Sequence, residues 1–297
     1  MSRRRLSRRS MLAGGAAALG GGLLAGCDRV ASTEQFQNLF DLAERTNLKL
    51  QRLLLRADRP AQEYSEADIS PWFKPNGSTD PVDPEYKQLV KANFARWQLV
   101  VDGLVERPGK FSLAQLRAMP SRTQITRHDC VEGWSCIGRW KGVPLAHLLD
   151  QVRPKPEAHY VVFHCADTME SGGQSLEGGD DEDASDDAST LAQGGATGGQ
   201  GQPASPVAAK ARRGSKYYES IDLEDARHVQ TILAYDMNGQ TLPVAHGAPL
   251  RLRLERQLGY KMAKYVMRVE LIDSFARLGG GKGGYWEDQG YDWYAGI

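Results

Sequence analysis

The pattern of apolar and polar positions divides the chain into short elements. Phe36, Leu39, Phe40 and Ala43, then Leu50, Leu53 and Leu54, recur at helical spacing. Ser32 and Gln35 form a capping box ahead of them and Pro60 follows the stop, so a helix is expected over 32–58. Prolines 60, 71, 75, 81 and 84 make the next stretch, to about residue 95, loop-rich. From Trp97 to Val101 the pattern alternates as a strand does. Ser112 caps a short helix reaching Met119, and a further strand runs into Thr126. A helix over 144–152 starts with Pro near its first position, and Tyr160 to Cys165 read as a strand buried by composition. Tyr217 to Asp222 precede a short helix, Leu223 to Arg227. Ile232–Asp236 and Gln240–Pro243 make a hairpin, with Asn238-Gly239 at its turn. Leu250, Leu252 and Leu254 alternate with Arg251, Arg253 and Glu255. That is a one-sided strand, with Arg251 opposite the leucines and, on pattern alone, on a solvated face. Residues 265–272 form another strand.

One stretch breaks this pattern. Between 168 and 216 an acidic run (Glu177 to Asp187) and a Gly/Gln-rich run lead to Lys210, Arg212, Arg213 and Lys216. Apolar side chains are too few to offset chain entropy, so a disordered surface insert is expected near 172–214.

Charge and cysteines narrow the classes. Net charge over 297 residues is zero, but five arginines and no acid fall in the first 26. Without them 32 basic residues face 37 acidic ones, a balance that gives no footprint for nucleic acid. Residues 1–27 read as an export signal: Ser7-Arg8-Arg9-Ser10-Met11-Leu12, a weak Ala/Gly-rich core, then Leu24-Ala25-Gly26-Cys27. The twin arginines resemble a twin-arginine signal, and the last four residues a lipobox with Cys27 as the lipidated position. A periplasmic or cell-envelope location follows as an expectation, with membrane contact through Cys27. Cys130, Cys136 and Cys165 then remain, an odd number that calls for a free or metal-bound thiol.

The candidate chemistry centres on Thr126-Arg127-His128-Asp129-Cys130-Val131-Glu132-Gly133-Trp134-Ser135. Arg127, His128 and the following turn are expected to favour a thiolate at Cys130, which suits a soft metal. A buried inert thiol and a zinc set of His128, Cys130, Cys136 and His147 are the competing readings. The spacing of the zinc set fits no usual structural pattern.

The run resembles the molybdenum-cysteine segment of the sulfite oxidase-like molybdopterin oxidoreductases, nearest the branch holding the catalytic subunit of periplasmic methionine sulfoxide reductase. A second match follows far downstream, His246-Gly247-Ala248-Pro249-Leu250-Arg251 and Gly259-Tyr260-Lys261-Met262-Ala263-Lys264. The resemblance covers roughly residues 70 to 297 apart from the insert. It implies an α+β, sulfite oxidase-like molybdopterin-binding fold of mixed sheets and short helices. It implies one molybdenum-molybdopterin per chain, with Cys130 as metal ligand. It also implies that His246 and Arg251 bind the pterin phosphate region and that Met262, Ala263 and Lys264 line the same site. Asn76 would come over the pterin on an N-terminal loop, and Cys165 would touch the cofactor. By themselves, Asn76 reads as an Asn-Gly turn and Cys165 as a small core residue.

The resulting expectation is an exported oxidoreductase that transfers an oxygen atom with two electrons, on a sulfoxide or related small molecule. Sulfite oxidation and a non-catalytic lipoprotein module are the alternatives. No haem attachment signal and no cysteine cluster for an iron–sulfur centre occurs. Electrons are therefore expected from a separate redox partner, which the resemblance suggests is a haem-bearing membrane subunit linked to quinone. The domains expected are the signal with lipobox (1–27), an N-terminal helix and loop extension (28–95), the cofactor domain (96–278) and a docked aromatic tail (279–297).

Overall fold

The computed structural model describes residues 42–43, 46–52, 59–169 and 215–297. The signal, Cys27, most of the 32–58 helix and the 172–214 insert lie outside the described residues. The chain divides into two units, Met1–Ala57 and Asp58–Ile297. In the first, residues 46–52 are helical.

Two five-stranded sheets make up the second unit. Helix α1 (Pro84–Lys91) starts where Asp83 accepts from the Tyr86 N–H and Pro84 fills the first turn. Strands β1 (Gln98–Gly103) and β2 (Gly109–Ser112) follow, then α2 (Leu113–Ala118). The α2 cap is reciprocal: Gln115 N–H donates to Ser112 Oγ at 3.2 Å and Ser112 N–H to Gln115 Oε1 at 2.8 Å. Next come β3 (Arg122–Asp129), β4 (Ser135–Pro144), α3 (Leu145–Val152), β5 (Tyr160–Met169), β6 (Ser215–Asp222) and α4 (Leu223–Ala226). The chain closes with β7 (Ile232–Met237), β8 (Gln240–Thr241), β9 (Arg251–Arg253) and β10 (Val266–Ile272).

The first sheet runs β2-β1-β10-β5-β6, with β1 and β10 parallel and the other pairs antiparallel. The second runs β3-β4-β7-β8, with β9 paired to β7. Asn238 and Gly239 both have positive φ, as a two-residue hairpin turn demands. The main core joins Leu99 and Val101 of β1, Phe163 of β5 and Val269 of β10 to Leu145, Leu148, Leu149 and Val152 of α3. A smaller cluster, Phe73, Trp140, Ile232, Ala234 and Met237, lies on the second sheet.

Strand β9 corrects one expectation. Its alternation suggested a solvated face for Arg251, yet Arg251, Leu252 and Arg253 are all fully buried. Trp140 covers the polar face: the guanidiniums of Arg251 and Arg253 lie 4.9 and 4.4 Å from the centre of its indole ring.

Candidate functional site

Cys130 occupies the turn that joins β3 to β4. Its N–H donates to Trp134 O and its carbonyl accepts from Gly133 N–H, both at 3.0 Å, with Gly133 at φ +84°. The thiol is half-buried, and burial pushes its pKa up, opposed by the backbone N–H groups of Glu132 and Val131. The expected thiolate-favouring environment is therefore corrected. Arg127 turns away to Asp129, at 2.8 Å. His128 is buried, and burial together with Arg253 and Arg251 pushes its pKa well down, which keeps the imidazole neutral. A metal would have to supply the stabilisation that these neighbours do not.

His128 is fixed from several sides. Arg253 Nη1 approaches its Nδ1 at 3.2 Å, Met262 Sδ lies 3.3 Å from the same nitrogen, and its ring packs against Phe73 and Trp134. Gly259 passes so close to the imidazole that a Cβ there would collide with Cε1 and Nε2. The four members of the zinc reading do not converge. His147 sits on α3 beside Gln151, Cys136 points its Sγ toward Trp72 O, and His128 is held by Arg253 and Met262. Among the described residues no group of three or more His, Cys, Asp or Glu side chains is placed to hold an ion.

A cavity of about 160 Å³ opens beside Cys130. Asn76, Met262 and Lys264 line it together with Cys130, so four of the residues singled out from the sequence share one wall. Lys264 is the tie among the segments. Its Nζ donates to Asn76 O at 2.6 Å, to Ala245 O at 3.0 Å and to Ser78 O. Burial and Arg251 pull its pKa down to about 7. The three carbonyl acceptors use all three N–H bonds of an ammonium and so hold the charged form.

His246 and Arg251 lie behind this wall. Arg251 Nη1 donates to His246 O at 3.0 Å, while Arg251 Nε and Nη2 have no partner. Asn76 Oδ1 and His246 Nδ1 are likewise buried without one. Burial, Arg251 and Lys264 push His246 down to about 4, so its ring is neutral at pH 7. Gly247, at φ +109°, allows the close approach: a Cβ there would lie 2.9 Å from Lys264 Cβ and 3.2 Å from Arg251 Cβ. Cys165 and Ala263 are not cavity walls. Cys165 is buried with its thiol pushed well up by burial, and the backbone of Ala263 is used by Lys261 and Leu252.

Further residues complete the cavity, and of these Asp167 gave no signal in sequence, whereas Tyr260 lies in the second motif and Trp286 and Tyr291 in the aromatic tail. Asp167, Tyr217 and Tyr260 line it, and Trp286 and Tyr291 close it from the C-terminal segment. Phe73, 5% exposed, anchors the 72–78 loop by edge contacts with Trp140 and His246. The prolines and Asn76 marked the loop but not which aromatic turns inward; Trp72 is 67% exposed.

The chain is similar to known proteins. Residues 86–193 and 189–277 match the family model described as "Oxidoreductase molybdopterin binding domain". The chain is 33% identical over 295 residues to the putative protein-methionine-sulfoxide reductase subunit YedZ1 of Azospira oryzae, covering 99% of this chain and 88% of that protein. It is 31% identical over 198 residues to the protein-methionine-sulfoxide reductase catalytic subunit MsrP of Ralstonia nicotianae, covering 66% of this chain and 49% of that protein. Among solved structures, the sulfane dehydrogenase SoxCD from Paracoccus pantotrophus aligns with TM-score 0.41 and 21% identity over 60% of this chain and 38% of that one.

Proposed function

Because this chain belongs to the oxidoreductase molybdopterin binding domain family, we propose that it acts on a sulfoxide or related small molecule by two-electron oxygen-atom transfer, with Cys130 as the protein ligand of its metal. Family membership makes the chain an oxidoreductase and molybdenum-molybdopterin its cofactor. Its fold is the family's mixed-sheet fold with few short helices.

The observation that carries the reading is a pair of uncompensated buried cations. Neither Arg251 nor Lys264 has a carboxylate at ion-pair distance among the described residues, and two guanidinium nitrogens of Arg251 are unpartnered. A buried charge left this way is costly, so an anion is expected there. A phosphate fits what is present: the two unpartnered guanidinium nitrogens of Arg251, the unpartnered Nδ1 of His246, and the nearby charge of Lys264. Arg251, Lys264 and His246 would hold the phosphate end, and Asn76 and Met262 would flank the pterin. When bound, the cofactor supplies two-electron redox chemistry at molybdenum. The chain's own share is orientation, exclusion of water by Trp286 and Tyr291, and the thiol of Cys130. That thiol must lose its proton to ligate, so cofactor insertion releases one proton.

Both relatives are named as subunits, which supports a separate redox partner; a haem-bearing membrane protein linked to quinone is our reading. Export by the twin-arginine route and lipidation at Cys27 complete it, on the motif of residues 7–12 and 24–27. The test is metal and pterin analysis of natively exported protein, followed by turnover with a dye donor on sulfoxides and with a dye acceptor on sulfite. We expect sulfoxide turnover that Cys130→Ser abolishes and Cys136→Ser keeps. A Cys130→Ser protein with full molybdenum and wild-type rates would overturn the ligand assignment. Arg8→Lys with Arg9→Lys should retain the protein inside the cell, and Cys27→Ala should leave an unlipidated precursor.

A further inference from the structure

Asp167 is the one carboxyl group set into the cavity wall away from the rim. It sits where β5 leaves its regular ladders: the pairing with β6 shifts between His164 and Thr168, and that with β10 between Val266 and Arg268. Such a bulge re-aims side chains. Cys165, Ala166 and Asp167 are all buried in succession, and Asp167 lines the cavity with Cys130 and Lys264. Its Oδ1 has no hydrogen-bond partner.

Most other titratable groups around it are already committed; of the rest, Cys130 is the expected metal ligand and Tyr291 stands at the exposed mouth. Lys264 spends its three N–H bonds on carbonyls. From β6, Tyr217 donates to Tyr260 O, and Lys216 pairs with Asp83 at 2.9 Å. Tyr260 donates to Asp292 O at 2.6 Å, Tyr265 to Ser78 O at 2.8 Å, and Tyr86 of α1 to Ala248 O at 2.6 Å. Cys165, on the same strand, directs its Sγ to Phe163 O. At the rim Glu132 accepts from Trp134 Nε1 at 2.8 Å and faces Lys74 at 3.7 Å. Oδ1 of Asp167 is left without a partner in the buried part of the cavity wall, able to hold a proton.

We propose that Asp167 is the proton donor of the cavity, holding a proton at Oδ1 and passing it to the oxygen removed from the sulfoxide. The inference rests on the reading of function above. In that reaction a sulfoxide, two electrons from a reduced donor and two protons give a sulfide and water: the S–O bond breaks and two O–H bonds form. Asp167 provides one proton and reloads from solvent, which also provides the second. Burial lifts the carboxyl to about 6 against the opposing charges of Lys264 and Lys216, and an anion in the cavity lifts it further. A group so raised keeps a protonated fraction near neutral pH that an ordinary carboxylate does not, and that fraction is what a general acid uses.

The test uses the holoenzyme, reduced viologen as donor and methionine sulfoxide as probe, with rates per bound molybdenum. For the wild type, kcat should fall as one group deprotonates with rising pH. Asp167→Asn should lower kcat by about 100-fold, within the range for general acids, leave KM within twofold and flatten the profile. Asp167→Glu, which keeps a carboxyl, should restore part of kcat and return a titrating limb. Infrared spectra of the holoenzyme should show a protonated carboxyl stretch that disappears with pH and is missing in Asp167→Asn. Wild-type kcat and profile in Asp167→Asn, or an unchanged carboxyl band, would overturn the proposal. If fully loaded wild type reduces no sulfoxide, the functional reading fails and the acceptor named here with it. The infrared titration still decides whether Asp167 holds the proton.

Discussion

Arg251 and Arg253 stand two residues apart on one strand, equally buried and over the same indole. Arg253 is fully compensated: its Nε and Nη2 donate to the two oxygens of Glu255 at 2.9 and 2.6 Å, and Gln124 donates to the same carboxylate at 2.8 Å. Arg251 has one carbonyl and no carboxylate, and burial beside Arg253 lowers it to about 9. The contrast repeats three residues apart. Lys261 lies between Glu219 and Glu287, each at 2.5 Å, and their charges push its pKa up despite burial. Lys264 donates only to carbonyls, has no carboxylate at ion-pair distance, and is pulled down by burial and Arg251. One pair of cations is neutralised by the fold. The other is held ready for something the fold does not contain. A buried ion with its partner joins segments together, and one without a partner marks where a ligand's charge goes.

That division can be attacked from both sides. The largest effect should come from the compensated pair: Arg253→Gln or Lys261→Gln leaves buried carboxylates alone, and unfolding free energy should drop by about 3–5 kcal/mol. Chemical denaturation would measure it, and a loss under about 1 kcal/mol would mean that these ions are not what holds β3, β9 and the C-terminal segment together.

Asp167 offers the next test, because it decides whether Lys264 is truly unpaired. The folded value is raised to about 6 from an ordinary 3.8. The proton-bound form is thus favoured by folding, and stability present at low pH is lost as pH rises toward and through about 6. Asp167→Asn should then be the more stable form at pH 8 by roughly 3 kcal/mol and lose that advantage at pH 4. Thermal melts at both values would show it. A destabilised Asp167→Asn protein at pH 8 would mean that Asp167 is the counter-ion of Lys264.

A smaller effect is expected of Arg251→Gln. It removes charge from an anion site but breaks no ion pair, so molybdopterin retention should fall roughly 10- to 100-fold, the worth of a charged hydrogen bond, with melting of the cofactor-free chain unchanged or raised. Equal loss of stability in Arg251→Gln and Arg253→Gln would erase the distinction between them. The smallest effect should come from deleting 172–214. Loop closure changes by about 0.6 kcal/mol per doubling of length, so folding and cofactor content should stay nearly intact.

Much of this arrangement could be read from residue order. Ser112, Pro144 and Asn238-Gly239 announced their elements, because caps, helix starts and turns are local. The two separated motifs supply Cys130, Met262 and Lys264 to one cavity, and the N-terminal loop adds Asn76. Most of what could not be read depended on neighbours distant in sequence. Period-two alternation told the arginines of β9 from its leucines but not that Trp140 would cover their side. Arg127 looked like a thiolate's neighbour until Asp129, two residues on, claimed it. Asp167 carried no pattern: only a bulge in two ladders turns it inward.

The indole of Trp140 has a further consequence. It lies under one guanidinium fixed by a carboxylate and another free to be drawn toward an incoming anion. Its N–H has no partner, and it is wholly shielded from solvent. The ring is therefore a built-in optical gauge, reading the field of Arg251 against the constant background of Arg253. Loading of the site should move its emission even where the backbone stays still, and the difference spectrum against Trp140→Phe would isolate that signal from the five other tryptophans.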